Sequence, residues 1–530
     1  MTLHRLHEYV TSTVVITIGL LVAMACGKLT AGGEEKILAT ILMGCAAVGV
    51  ALVLRNRIWI LIPLSMPLVG TFQAMLIPFR FLDFVVLYVA VTFVVLSAMK
   101  VMRARTAPFE RIDILVFAIM SMIAFAFIRN PVGTKTLGSS MVGGRPYFNA
   151  FIAFLIYCIF RQAPVNAYYA RRIPFYIVIG SALASATALV GNYLPSIGGA
   201  LGHYYSGFDP MVQDPLAAVD EGGLHRETGF LAIGGSGMLM LTAYCVPITL
   251  FLPFFPFRFV ASLLFMMANL LSGFRIAVAV PMVYVLIASW FRKRYQDIVI
   301  LLGIMVFGIA ILALGIVPLP LSAQRALSFL PGNWNREAAQ DASGSTQWRI
   351  DMWKMVLSED KWIKNKWFGD GFGFSKYDLS IMESAAEPNG GFIGAPVQEG
   401  FMIAGAYHSG PLSTIRFVGY IGLVIFLTFL AFIAWRAYRL IIRAQRTPLF
   451  PVALFVGMPM LLKPFFYLFV FGGFDGDLPE ALFSAGMIRL LEGALDEFTP
   501  GTSENPAVTP QVLSPKRPNI RRPAAPLPVH

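Results

Sequence analysis

The chain has 530 residues, of which 57% are hydrophobic and only 13% charged. Soluble domains carry about 25% charged residues, so this composition excludes a soluble globular protein. The net charge of +12 does not indicate nucleic-acid binding, because Lys and Arg lie mostly in short segments between apolar runs, where membrane topology places them.

Apolar runs of about 20 residues recur along the chain, and a helix of that length crosses a bilayer. They predict an all-α polytopic membrane protein with about 13–14 transmembrane helices. In chain order, the predicted spans are Thr11–Cys26, Ile37–Leu54, Ile58–Pro78, Phe81–Met99, Ile112–Ile128, Tyr147–Phe160, Ile173–Leu194, Gly229–Leu252, Phe259–Leu271, Ile276–Trp290, Ile298–Val317, Phe417–Trp435 and Leu449–Phe471.

A further candidate span, Leu478–Leu495, contains Glu480, Arg489 and Glu492. Each charge adds roughly 2.5–3.5 kcal/mol to the cost of inserting a helix into lipid. The sequence leaves open whether this segment crosses the membrane.

Polar segments divide the predicted spans into four parts. These are N-terminal transmembrane helices (residues 1–320), an extracytoplasmic helical loop domain (321–413, the insert), C-terminal transmembrane helices (414–497) and a disordered, basic, Pro-rich tail (498–530). When the spans are counted in order, the most basic loops fall on one face of the membrane. The positive-inside rule makes that face cytoplasmic, so we expect the N-terminus in the cytoplasm and the insert on the outer side.

The insert contains a predicted helix that carries Arg349. Thr346 can cap this helix, and its apolar positions Ile350, Trp353 and Leu357 recur at helical spacing. Arg349 then lies in the first turn, where the helix dipole disfavours a cation and a bound anion would offset the penalty. A solvated surface arginine is the alternative interpretation.

A glycine-rich segment follows in the insert, reading Gly369-Asp370-Gly371-Phe372-Gly373. It is not the dinucleotide-binding fingerprint, because its third glycine comes one residue early and no strand precedes it. It predicts a tight turn with positive-φ positions.

His408 lies between Tyr407 and Ser409, a few residues before a predicted span and on the predicted outer face. A neutral imidazole there can take a proton from a sugar hydroxyl as that hydroxyl attacks. The alternative is a polar side chain at a membrane interface. His203 and His225 lie in another outer loop; no pair among these three histidines has metal-ligand spacing, and no H-E-x-x-H occurs, so we predict no metal site and no cofactor.

Two further arginines, Arg226 and Arg275, stand at the outer ends of predicted spans. Arginine is the natural bidentate ligand of phosphate oxygens, although snorkelling at the interface is the alternative for Arg275. The run Gly234-Gly235-Ser236-Gly237 after Arg226 indicates close helix packing or a local break.

These motifs, in this order, resemble those of the O-antigen ligase and O-antigen polymerase superfamily. The matching segments are Arg226-Glu227-Thr228-Gly229, Ser272-Gly273-Phe274-Arg275, Arg349-Ile350-Asp351-Met352-Trp353, Gly369-Asp370-Gly371, His408-Ser409 and Gly419-Tyr420-Ile421-Gly422. The chain departs from the family at Ser409, where an asparagine is usual, which puts the way it holds its acceptor in doubt.

The resemblance implies an inverting, metal-independent glycosyltransferase, similar in fold to the C-type glycosyltransferases, in the bacterial inner membrane. Its partners would be a polyprenyl-diphosphate-linked glycan donor, a glycan or lipid acceptor, the lipid bilayer and other polysaccharide assembly proteins, with no nucleic acid. His408 would be catalytic, Arg226, Arg275 and Arg349 would bind the diphosphate, and Tyr407, Ser409 and Trp353 would support them.

Within this interpretation, the sequence does not separate a polymerase from a ligase. Two other interpretations stay open, a transporter or flippase of lipid-linked glycans and a non-catalytic subunit of a polysaccharide assembly complex.

Overall fold

The computed structural model describes residues 47–72, 79–102, 104–131, 144–209, 227–314, 319–330, 332–360, 362–372 and 407–498, together with Met402 and Gly405. The predicted span Thr11–Cys26 and nearly all of the predicted tail lie outside these residues. The principal helices are α1 (Ala47–Ser65), α2 (Phe81–Ala98), α3 (Arg111–Arg129), α4 (Arg145–Gln162), α5 (Ile173–Tyr193), α6 (Thr228–Tyr244), α7 (Pro256–Leu271), α8 (Arg275–Phe291), α9 (Tyr295–Ala313), α10 (Leu321–Leu327), α11 (Arg336–Ser358), α12 (Gly410–Ala444), α13 (Phe450–Phe469) and α14 (Phe474–Leu495).

The described part of the chain is all-α, as predicted from the sequence. It contains no strand, only isolated bridges that pair Thr71 with Arg80 and Phe72 with Tyr205. Six helical stretches within it are long and apolar enough to cross a membrane: Ala47–Ser65, Phe81–Ala98, Arg111–Arg129, Ala167–Tyr193, Gly410–Ala444 and Phe450–Phe469. The shorter helices α6, α7, α8 and α9 are apolar as well.

The basic loops gather at one end of the helix bundle, which we call the basic end. The Arg105 guanidinium donates to the Arg489 carbonyl at 3.1 Å and pairs with Asp496 at 3.2 Å. Nearby, Arg292 donates to the carbonyl of Ala243 at 2.6 Å. The opposite end carries the starts of α8, α12 and α14 together with the insert, and we call it the insert end.

The helix α14 runs the full length of the bundle beside α12. At the insert end, the Phe474 amide donates to Ser413 Oγ at 3.0 Å. At the basic end, Arg489 donates to the Pro108 carbonyl at 2.8 Å, and Arg436 of α12 pairs with Glu492. Because α12 and α14 join the same two ends, α14 crosses any bilayer that α12 crosses.

The charged residues of α14, which make its insertion into lipid costly by sequence, are paired inside the protein. Arg489 and Arg436 both form ion pairs with Glu110, which precedes α3. Arg436 Nε also lies 3.0 Å from Glu492 Oε1. Paired, hydrogen-bonded charges avoid most of the cost that lipid exposure would impose, so the helix can be both charged and buried.

The glycine run of α6 serves close helix packing. A Cβ at Gly234 would lie 2.8 Å from Asn269 Oδ1 of α7, and a Cβ at Gly237 would lie 2.4 Å from the Phe265 ring. At the start of the same helix, Ser185 Oγ of α5 donates to the Gly229 carbonyl at 2.6 Å. Small residues therefore let α6 approach both neighbours, and α6 continues through the run as an unbroken helix.

One helix of the insert differs from its prediction. The helix α11 begins at Arg336 rather than after Thr346, so Arg349 lies in the body of the helix and the argument from an unfavourable first-turn cation does not hold. Glu337 to Gln340 after Arg336 are strong helix formers, whereas Asp341, Ser343, Gly344 and Ser345 are weak ones, so the helix continues through a segment that propensity alone does not favour. The buried face was also misassigned: Met352 and Val356 are buried, whereas Leu357 is exposed.

Candidate functional site

The described part of the insert packs on the first turns of α12 around a small apolar core of its own. The core consists of Met352, Val356, Trp362, Ile363, Met402, Tyr407, Leu412 and Ile415, with Trp353 and Leu423 packed against it. Residues of α11, of the segment after it and of α12 all contribute. The insert is therefore joined to the helix bundle through shared hydrophobic packing.

The helix α12 is interrupted at Gly419, where φ is 73° and ψ is −176°. The glycine-rich turn of the insert docks onto this break through backbone hydrogen bonds. Asp370 N donates to the Arg416 carbonyl at 2.7 Å, and Tyr420 N donates to the Lys366 carbonyl at 2.8 Å. Non-helical backbone needs such partners when it is buried in protein, and the turn supplies them.

The predicted positive-φ turn at Gly369 and Gly371 is confirmed, with φ values of 73° and 82°. Asp370 between them accepts hydrogen bonds from the amides of Lys364 and Asn365, both at 2.9 Å. Its carboxylate also pairs with Arg416. The motif is a structural turn that carries a carboxylate into the break of α12.

Arg349 and His408 meet at the ring of Phe471, just after the end of α13. The His408 ring stacks on Phe471 with centroids 5.5 Å apart and planes inclined by 29°. The Arg349 guanidinium carbon lies 5.9 Å from the centroid of the same ring. The structure thus brings together two of the site residues predicted from sequence, and the ring they share was not predicted.

The backbone at His408 is held in a left-handed conformation with φ of 48°. Trp353 fixes Tyr407, the residue before His408, because the Trp353 indole Nε1 donates to the Tyr407 carbonyl at 2.7 Å. Trp353 lies one turn after Arg349 on α11, so one helix face presents the arginine and anchors the histidine segment. Tyr407 is fully buried, and Ser409 is the N-cap residue of α12 without a side-chain capping bond.

Close backbone packing keeps His408 beside Phe471. A Cβ at Gly410 would lie 2.5 Å from the Tyr467 carbonyl oxygen, and one at Gly472 would lie 2.8 Å from the Tyr467 ring. The Tyr467 hydroxyl donates to the Gly410 carbonyl at 2.8 Å. The start of α12 and the turn after α13 are therefore locked to one another.

Arg275 is the first residue of α8, directly after a tight turn in which Gly273 has φ of 74°. The amide of Glu227 donates to the Ser272 carbonyl in this turn at 3.2 Å. Arg226, the neighbour of Glu227 in sequence, lies outside the described residues. The start of α6 and the turn before Arg275 thus meet at the insert end.

The helix α10 connects the Arg275 region with the Arg349 helix. It packs against α7, α8 and α11. Its Arg325 is buried, and the sequence did not single this residue out. Arg275 and Arg349 therefore lie on elements joined by one short helix.

Three contributors to this region were missed in the sequence: Phe471, Arg416 and Glu227. Phe471 carries a recognisable signal, because Gly472-Gly473 directly after it ends an apolar run and predicts a tight turn on the outer side. Arg416 stands at the start of an apolar span, which marks it for pairing. Glu227 carries no distinguishing signal beside Arg226.

Within the described ranges, no group of three or more His, Cys, Asp and Glu side chains could hold a metal ion. The region presents guanidinium groups, an imidazole and an aromatic ring. Such a set can bind an oxyanion and accept a proton.

Comparison with known proteins adds no assignment: no protein-family model matches the chain, and no curated protein sequence matches it either.

Proposed function

We propose that this chain is an inverting glycosyltransferase of the O-antigen ligase and polymerase type, similar to the C-type glycosyltransferases. It would transfer a glycan from polyprenyl diphosphate to an acceptor hydroxyl at the outer face of the bacterial inner membrane. The observation that carries the proposal is the meeting of Arg349 and His408 on Phe471. An anion-binding side chain and a proton acceptor share one surface there.

The arginines would neutralise the leaving group. As the bond from the anomeric carbon to the diphosphate oxygen breaks, negative charge grows on the diphosphate. Arg349 and Arg275 can donate charge-assisted hydrogen bonds to it, each contributing about 1.5–3 kcal/mol net, and these bonds strengthen as the charge develops. Arg226 belongs to the same proposed set on sequence grounds.

His408 would act on the acceptor. The acceptor oxygen attacks the anomeric carbon opposite the diphosphate, and its proton passes to the imidazole. A new glycosidic bond forms, the diphosphate departs with the electron pair of the broken bond, and the anomeric configuration inverts. General base catalysis of this kind contributes about 10²–10⁴-fold to the rate.

The charge distribution supports the membrane orientation in the proposal. The basic end fits the cytoplasmic side by the positive-inside rule, and the insert end would then lie on the outer side. The N-terminus would then be cytoplasmic. A diphosphate headgroup in the outer leaflet would reach the insert end directly.

Purified protein in nanodiscs, supplied with lipid-linked glycan and acceptor, tests the proposal. We expect His408→Ala to lower turnover about 10²–10⁴-fold. Arg349→Ala should weaken binding of the lipid-linked donor. Arg439→Ala is the matched control, since Arg439 lies over Trp435 near the basic end. Wild-type turnover in both site variants would refute the proposed site.

A transport assay separates the main alternative. A flippase would move lipid-linked glycan across vesicles without forming a glycosidic bond. Translocation without product would refute the transferase and support transport, whereas lengthened or transferred glycan without translocation supports the transferase.

A further inference from the structure

Glu227 is a buried carboxylate that the proposed chemistry does not use. It is 6% exposed and lies just before α6, where the end of α5, the start of α6 and the turn between α7 and α8 meet. Burying a carboxylate is costly unless donors surround it, so its contacts indicate its role.

The side chain of Glu227 ties the start of α6 to the end of α5. Asn192 Nδ2 donates to Glu227 Oε2 at 2.7 Å. The end of α5 is itself fixed, since a Cβ at Gly191 would lie 2.2 Å from the Phe208 carbonyl oxygen.

The backbone of Glu227 holds the turn that precedes Arg275. Its amide donates to the Ser272 carbonyl at 3.2 Å. The Ser272 hydroxyl in turn donates to the Asn269 carbonyl at 2.6 Å, which closes the turn over the end of α7. The direction in which α8 starts, and with it the place of Arg275, depends on this turn.

We infer that Glu227 is a positioning residue for Arg275, fixing where its guanidinium meets the diphosphate of the donor. The inference rests on the proposed function. The burial of Glu227 and its hydrogen bonds with Asn192 and Ser272 favour positioning over direct proton transfer. The side chain fixes Glu227 to the end of α5, and its backbone amide holds the turn before Arg275.

Affinity for polyprenyl diphosphate without a glycan, measured in nanodiscs, tests this role independently of turnover. We expect Glu227→Ala to raise Kd about tenfold, the effect of one lost hydrogen bond to the anion. Glu227→Gln should stay within about twofold of wild type, because its amide oxygen can still accept from Asn192.

A second pair of variants reverses the hydrogen bond between Asn192 and Glu227. Asn192→Asp faces Glu227 with a like charge and should weaken binding about tenfold. Adding Glu227→Gln to Asn192→Asp should restore affinity, because the glutamine amide can donate to the new carboxylate. The KM for the acceptor should not change in any of these variants, since only donor binding is affected.

The matched control is Ser185→Ala, which removes the neighbouring buried hydrogen bond to Gly229 without touching the turn. It should lower thermal stability and leave Kd unchanged. Wild-type affinity in Glu227→Ala, with weakened binding in Arg275→Ala, would overturn the inference alone. Wild-type affinity in Arg275→Ala as well would overturn the proposed diphosphate site and the inference with it.

Discussion

The guanidinium of Arg416 pairs with the carboxylate of Asp370 at 2.8 Å, and this pair joins the break in α12 to the glycine-rich turn of the insert. Both side chains are largely buried, at 8% and 14% exposure. A pair in this position is structural, because removing one partner leaves the other charge buried without its ion pair. The insert and the helix bundle therefore depend on one another.

Asp370→Ala should destabilise the protein strongly. The substitution leaves Arg416 buried without its carboxylate and removes two backbone capping bonds, so we expect a loss of about 3–5 kcal/mol. The midpoint of thermal unfolding in detergent, together with protease sensitivity of the insert, measures this loss.

Asp360→Ala is the control for that experiment. Asp360 pairs with Lys366 at 2.7 Å but is 87% exposed, and exposed pairs contribute little. We expect no detectable change in its unfolding midpoint. Equal midpoints for the two variants would contradict a structural role for the Asp370 pair.

Gly419→Ala should separate the insert from α12. A Cβ at Gly419 would lie 2.1 Å from the Trp367 carbonyl oxygen, and the φ of 73° strains any L-residue. With ψ of −176°, this backbone conformation is one that essentially only glycine adopts; holding another residue there costs about 1–3 kcal/mol, and the clash adds to it. Increased protease cleavage within the insert, measured at a temperature where wild type resists, reports the separation.

Gly303→Ala in α9 is the matched substitution, since nothing lies within 4 Å of a Cβ there. Alanine also has the higher helix propensity, so this variant should be as stable as wild type or more stable. If Gly419→Ala resists the protease as wild type does, the glycine-rich turn of the insert does not depend on its contacts with the break in α12.

The class of fold could be read from the sequence because apolar runs and basic loops follow directly from the bilayer. The pairing of side chains between distant helices could not be read from the sequence. The charges of α14 look costly in the sequence because their partners, Glu110 before α3 and Arg436 on α12, are distant in the chain and have no local signature. Similarly, Arg349 and His408 were singled out by chemistry, whereas Phe471 enters the region only when α13 is packed against α12.

In the glycine-rich turn, too, the local conformation follows from the sequence whereas the tertiary contact does not. Its positive-φ positions follow from glycine itself and were predicted. Its attachment point could not be predicted, because Gly419 looks like an ordinary helix glycine until the structure shows the break. The start of α11 does not follow from local signals either, because Thr346 is a favourable capping residue and Ser343, Gly344 and Ser345 before it are weak helix formers, yet the helix continues through them.

Lowering the pH should destabilise the folded protein at the basic end, because Glu110 loses its charge there. Partial burial opposes ionisation of Glu110, but hydrogen bonds from Arg436 and Arg489 outweigh it and lower its pKa from the ordinary value of 4.5. A carboxyl whose pKa is lower in the folded state stabilises the protein above its unfolded pKa, and the contribution disappears as pH falls through the folded pKa. The unfolding midpoint should therefore drop as pH falls below about 4.5.

Glu110→Gln should remove that part of the pH dependence, because the amide does not titrate. It should also be less stable than wild type at neutral pH, and the difference should shrink in acid. Asp351→Asn, at an exposed position of α11, should keep the wild-type profile. A constant difference between Glu110→Gln and wild type at every pH would argue against the proposed linkage.

Phe471→Leu should slow glycan transfer if the proposed function holds. The leucine removes the stacking surface of His408 and the ring beneath Arg349, contacts worth about 0.5–1.5 kcal/mol each. We expect turnover to fall about three- to tenfold, whereas Phe471→Tyr keeps the ring and should stay near wild type. Phe469→Leu, at an exposed position two residues earlier, is the control. If Phe471→Leu transfers glycan at the wild-type rate while His408→Ala does not, the imidazole is held by its left-handed backbone and the Trp353 bond, and the ring contributes nothing to catalysis.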